Sequence, residues 1–258
     1  MKKIFIVSMF SVLGMLAFGI PNAEASHSWG NYHWARTANP FTVKLGDNVS
    51  GVWDSILATA STDWNASTVL DTSIETGQGG KNCSATLGRV EVCSRKYGNN
   101  GWLGIAQIWI SGDHITKGVT KMNDTYFNTA KYNNPNEKLH VMCQELGHTF
   151  GLGHTSEDGS SQNTCMDYFS NTGANAGNTM STEPNAHDYE QLETIYAHLD
   201  TLSTSFSKVD GAVGNTVDLD NPSAWGKLVS ESKNKRHSVY ERDFGNGNKV
   251  LTSVTWAE

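Results

Sequence analysis

The chain has 258 residues, of which 17% are charged and 10% aromatic, with 25 glycines, eight tryptophans and a formal net charge of −7. So few charges and so many aromatic side chains exclude a disordered chain. The acidic balance argues against a nucleic-acid surface, which depends on clustered Lys and Arg.

Lys2 and Lys3 precede an almost wholly apolar stretch, residues 4–20, and Ala23-Glu24-Ala25 supplies small residues at the −3 and −1 positions of a cleavage site. This pattern predicts a signal peptide over 1–25, cut after Ala25, and a secreted extracellular protein with no stable membrane insertion. After it, 26–200 reads as one domain and 201–258 as a β-rich extension of unassigned role. Residues 40–45 read as a first strand. Val52, Trp53, Ile56 and Leu57 space as one face of a helix ending near Trp64. Residues 69–74, 88–92 and 102–110 read as further strands, and 188–199 as a closing helix. A polar, linker-like stretch covers 201–221. Short strands are expected at 225–229, 237–241 and 249–256 around Gly245-Asn246-Gly247-Asn248, as an appended sheet or laid on the main domain. His33 and His114 have no spaced partner and read as surface or hydrogen-bonded histidines. The acidic stretch 157–162 is a solvated turn before it is a Ca2+ loop, since it completes no calcium motif.

Four cysteines in an exported chain favour two disulfides, with three pairings open. Cys83 and Cys93 flank a hairpin-sized loop, leaving Cys143 to join Cys165. A four-cysteine zinc site is the rival, but no CxxC spacing supports it.

The most informative stretch is 134–154. Asn134 suits an N-cap, Pro135 the first helical position and Glu137 the third, while Gly151 and Gly153 end the pattern, so a helix is predicted over 135–150. At 100° per residue, Leu139, Met142, Cys143, Leu146 and Phe150 fall on one side and His140, Gln144, Glu145 and His148 on the other. Gln144 and His148 are an i, i+4 pair able to share an ion, and His154 can return after the glycine turn as a third ligand. Three protein ligands and an open position suit a catalytic zinc, with Glu145 placed to take a proton from its water. His140 stands two turns before His148, too far to share a tetrahedral ion, and is read as a supporting or surface residue.

Residues 144–154, Gln-Glu-Leu-Gly-His-Thr-Phe-Gly-Leu-Gly-His, resemble the metzincin signature H-E-x-x-H-x-x-G-x-x-H at every defined position but the first. Cys165-Met166-Asp167-Tyr168 resembles the metzincin Met-turn, and a leading glutamine is also what the gametolysin family shows. The resemblance is strong over 135–168 and diffuse elsewhere. It implies an α+β zincin fold: a twisted mixed sheet over the active-site helix, a Met-turn and a C-terminal helix. It also implies Gln144, His148 and His154 as metal ligands and Glu145 as general base. Met166 would form an apolar floor, and Tyr168 would stand near the metal or the developing oxyanion, with a packing role as the alternative. The strand over 102–110 would border the cleft and pair with an extended substrate, with an ordinary core strand as the equal alternative. The expected activity is a monomeric zinc endopeptidase acting on extracellular or wall proteins. Glutamine's weaker donor leaves room for copper or another divalent ion. The rival is a binding protein of the same fold that has lost hydrolysis. No inhibitory propeptide fits between Ala25 and Trp29, so the separate character of 201–258 raises the hypothesis that it restrains the site.

Overall fold

The computed structural model describes residues 27–156, 158–203 and 219–257; the leader over 1–25, Glu157 and positions 204–218 of the expected linker lie outside the described residues. The described strands are β1 (His33–Trp34), β2 (Phe41–Asn48), β3 (Leu70–Thr76), β4 (Arg89–Arg95), β5 (Trp102–Ser111), β6 (His114–Asn123), β7 (Lys227–Glu231), β8 (His237–Gly245) and β9 (Asn248–Trp256). They form one mixed sheet in the order β3-β2-β4-β6-β5-β9-β8-β7, with β1 paired to the start of β6. The β2–β3, β2–β4, β4–β6 and β1–β6 pairs are parallel, and every pair from β6 through β5 to β7 is antiparallel. The fold is thus α+β, with helices α1 (Val52–Trp64), α2 (Asp124–Phe127), α3 (Pro135–Thr149) and α4 (Ala186–Ile195). None of the described helices is long and apolar enough to cross a membrane.

One core joins the sheet to α1 and α3. α1 buries Trp53, Ile56, Leu57, Ala60 and Trp64, the i, i+3, i+4 rhythm of a helix seated on a surface. α3 adds Val141, Met142, Cys143, Leu146 and Phe150. The Asn134 side chain accepts a hydrogen bond from the Glu137 amide at 2.8 Å, capping α3 where the sequence places the cap. Glu137 does not return a bond to Asn134. Its carboxylate accepts from the Asn171 amide at 2.6 Å and so ties the helix start to the chain beyond Met166.

Two strands, β6 and β5, differ from the sequence expectation. β6 has no counterpart in the reading, because Thr, Lys and Gly dilute its apolar residues. It is nonetheless buried between β4 and β5, where Lys121 pairs with Asp220 and Lys117 lies over the Trp109 ring. β5 is not an edge strand open to a substrate, since β9 pairs with it from Trp102 to Ser111. The physical reason is that β5 is apolar on both faces. Ile108 and Ile110 join the helix-side core, while Trp102 and Ile105 pack with Trp225 and Val254 on the other side. The strands after 219 therefore continue the main sheet, and Leu219 and Trp225 help cover its second face. His33 and His114, read as surface or hydrogen-bonded histidines, are register neighbours on β1 and β6 and both hydrogen-bond Asp200.

Both disulfides form, Cys83 with Cys93 and Cys143 with Cys165. The first closes the loop before β4 and the second pins α3 to the Met166 segment. Asp158, in the stretch weighed as a calcium loop, accepts bonds from Ser156 Oγ and from Ser160 N and Oγ and so closes a turn.

Candidate metal centre

α3 presents Gln144, Glu145 and His148 toward the sheet, and the chain reverses at Gly151 (φ +98), where a Cβ would stand 2.5 Å from the Tyr32 carbonyl oxygen. The reversal brings His154 back to His148, with Nε2 to Nε2 at 3.0 Å. His148 Nδ1 lies 2.8 Å from the Leu152 carbonyl and donates to it, which leaves the His148 Nε2 lone pair directed at His154. Burial pushes the His148 imidazole down to about 4, and burial with the neighbouring His148 and His237 holds His154 well below the usual imidazole range. The pair is therefore neutral at neutral pH and suited to a cation.

The N-terminal segment closes one side. Trp29 stacks on His148 with ring centroids 4.8 Å apart, its amide donates to the Gly151 carbonyl, and the Gly153 amide donates to the His27 carbonyl at 2.5 Å. The turn bearing Met166 closes another. The Thr164 hydroxyl accepts from the Met166 amide, and Met166 is buried against Gly147 of α3, where a Cβ would stand 2.4 Å from its Sδ. Tyr168 leaves this turn with its ring 4.3 Å from that of His154.

Gln144 and Glu145 are engaged differently. The Gln144 amide nitrogen donates to the Cys165 and Asp167 carbonyls at 2.9 and 2.7 Å, and His140, buried behind it, lies 3.5 Å away. These bonds turn Gln144 Oε1 toward β9, where the Thr255 hydroxyl lies 3.0 Å away. The same hydroxyl is 2.8 Å from Glu145 Oε1 and 3.3 Å from His237 Nδ1. Glu145 is fully buried, and burial pushes its carboxyl up to about 8, with the Thr255 hydroxyl opposing. Its Oε2 meets no hydrogen-bonding partner among the described residues.

The structure thus brings His148, His154 and Tyr168 together, with Gln144 and Glu145 joined through Thr255. It adds a residue that sequence reasoning missed. His237, at the start of β8, stacks on Tyr168 at 4.2 Å and lies 4.7 Å from His154 between ring centroids, with its buried Nε2 unpartnered among the described residues. No local spacing links His237 to the motif; only the β8–β9 pairing carries it there. A cavity of about 350 Å³ opens onto His154 and Tyr168 between Trp29 and the strand residues Val229, Val239 and Leu251.

No family model matches the chain, and no curated protein matches it. Fourteen solved chains match. One is the structure of myroilysin, 11% identical, covering 66% of this chain and 98% of that chain at a TM-score of 0.37. A likeness so distant carries no functional argument.

Proposed function

We propose that this chain is a secreted, metal-dependent endopeptidase whose C-terminal strands cover its own site. The observation that carries the reading is the 3.0 Å approach of two neutral imidazoles, the buried His148 and the half-buried His154, with His148 Nδ1 committed to a carbonyl. An Nε2–H of His154 could fill that gap. In this reading a divalent ion, zinc before copper, takes the place of that proton between the two imidazoles, with His237 stacked on Tyr168 beside them. Gln144 Oε1, the ligand that the metzincin resemblance implies, can join once it gives up the Thr255 hydroxyl.

When bound, such an ion acidifies a water and polarises a peptide carbonyl. The chain's own residues supply the remainder. Glu145 holds its proton while covered. Withdrawal of β9 would expose it, return it toward the ordinary carboxylate range and let it accept a proton from water and pass it to the leaving amine. An extended segment of an extracellular or wall protein would then take the place of β9 along β5 through backbone hydrogen bonds. Tyr168 beside His154 is placed to face the scissile carbonyl. The burial of Glu145 equally favours a second reading, a fold-retaining protein that binds peptides without cutting them.

The test compares wild type, Glu145→Ala and Gln144→His on a denatured protein substrate, with bound metal quantified. Chelator-sensitive cleavage that disappears in Glu145→Ala supports the enzyme. An inert wild type with cleavage gained in Gln144→His supports the binding protein.

A further inference from the structure

Away from the α3 site, three histidines converge on a single carboxylate oxygen. Asp200 Oδ1 lies 3.1 Å from His114 Nε2, 3.5 Å from His33 Nε2 and 3.8 Å from His198 Nε2, and the His33 and His198 Nε2 atoms are 3.1 Å apart. Ligand atoms of His33, His198 and Asp200 all lie within 4.8 Å of one another. We propose that His33, His198 and Asp200 form a second metal site, of the zinc type, with His114 hydrogen-bonded to Asp200 at its edge, separate from the α3 centre.

The spacing fits the ion. Zinc–nitrogen bonds of about 2.0–2.1 Å at tetrahedral angles place donor atoms roughly 3.3–3.4 Å apart, and the three separations among His33, His198 and Asp200, at 3.1, 3.5 and 3.8 Å, fall on either side of that value. The donors also have the supports a metal site needs. His33 Nδ1 donates to the Asn31 carbonyl at 2.6 Å, which leaves the Nε2 lone pair pointing into the cluster. The other oxygen of Asp200 is held by Arg36 Nη1 at 2.9 Å and by the Arg36 amide at 3.1 Å, so Oδ1 alone faces the imidazoles. Arg36 also donates to the His198 carbonyl, fixing the backbone between the two ligands. Without a cation, His33 Nε2 would face Asp200 Oδ1 acceptor to acceptor. His33 is buried and Asp200 is half-buried, whereas the His114 and His198 side chains are 43% and 56% exposed, so an ion can enter from solvent. A cavity of about 430 Å³ lined by His33, Asp113 and His198 supplies the approach.

The ligands come from β1 and the chain just after α4. A bound ion would therefore clip the segment that leads back to Trp29, and through it His148, onto the end of the closing helix.

The test loads the mature full chain with zinc chloride, removes excess by gel filtration and counts zinc per chain by mass spectrometry, with thermal melting alongside. His198→Ala and His114→Ala change rim residues and spare the buried packing; His148→Ala removes the α3 centre. Wild type is expected to carry two zinc ions, one lost in His198→Ala with at least tenfold weaker binding and the other lost in His148→Ala. The zinc-dependent rise in melting temperature should shrink in His198→Ala. Zinc content and affinity unchanged in both His198→Ala and His114→Ala overturn the proposal. One zinc lost in His198→Ala but kept in His148→Ala upholds it while removing the metal from the α3 centre.

Discussion

The Thr255 hydroxyl lies 2.8 Å from Glu145 Oε1, so a residue at the end of the last strand holds the carboxyl group on which the proposed chemistry depends. Thr255 also reaches Gln144 Oε1. Thr255→Val removes the hydroxyl at nearly constant volume. With each hydrogen bond worth about 1 kcal/mol, opening of the strand becomes easier by a factor of roughly 5–30. Peptidase turnover on an unfolded substrate is expected to rise, and a chain ending at Ser203 should exceed it. Equal rates in all three, with circular dichroism confirming folded chains, would show that the strands do not restrain the site.

Gly104 on β5 admits no side chain. A Cβ there would stand 2.5 Å from Val141 Cγ1 and 2.6 Å from Glu145 Oε1. Gly104→Ala must displace one of them at a cost of about 1–3 kcal/mol. The expected signature is a fall in kcat larger than the stability loss predicts, with zinc content unchanged. Stability and activity falling in proportion would point to general loosening.

The Cys143–Cys165 bond joins residues 22 apart in sequence and ties α3 to the Met166 turn. Replacing both cysteines with serine should cost about 3 kcal/mol through loop-closure entropy, read as a lower urea midpoint. Replacing Cys83 and Cys93, only 10 apart, should cost less.

His27 Nε2 and Asp188 Oδ1 stand 3.7 Å apart in the interior and titrate in opposite senses. Burial raises Asp188 to about 6, against bonds from Thr164 and Asn185. Its folded pKa exceeds the unfolded one, so its contribution is full below about pH 4 and is lost by about pH 6. Burial, with His187, lowers His27 to about 4, so its contribution is full above about pH 6.5 and is lost as the pH falls through about 4. Each amounts to about 3 kcal/mol and the two largely offset. His27→Gln should therefore lose stability between pH 4 and 6 relative to wild type, and Asp188→Asn should gain it. Parallel melting curves for both variants would refute the assignment.

Legibility followed locality. α3 could be read almost to the residue because its cap, its proline and its terminal glycines are neighbours in sequence, and the i, i+4 spacing already sets Gln144 and His148 on one face. α1 could be read for the same reason. β6 could not, since its burial comes from neighbours on both sides while its own residues are mixed in polarity. The occupation of β5 by β9 was equally hidden: apolar strands announce burial, not which strand will bury them. His237 and the His33–His114–Asp200 cluster share that limit. Each joins groups far apart in the chain whose meeting is decided by sheet register.

The β5–β9 ladder also bears on the order in which the molecule can be made. β5 is apolar on both faces, and its free edge is closed only by β9, a strand synthesised long after it (Asn248–Trp256 against Trp102–Ser111). Until that strand arrives, a long hydrophobic edge is open to pairing with other chains. Slow export should therefore show first as aggregation during production, and a shortened chain should need dilute, cold expression to stay in solution.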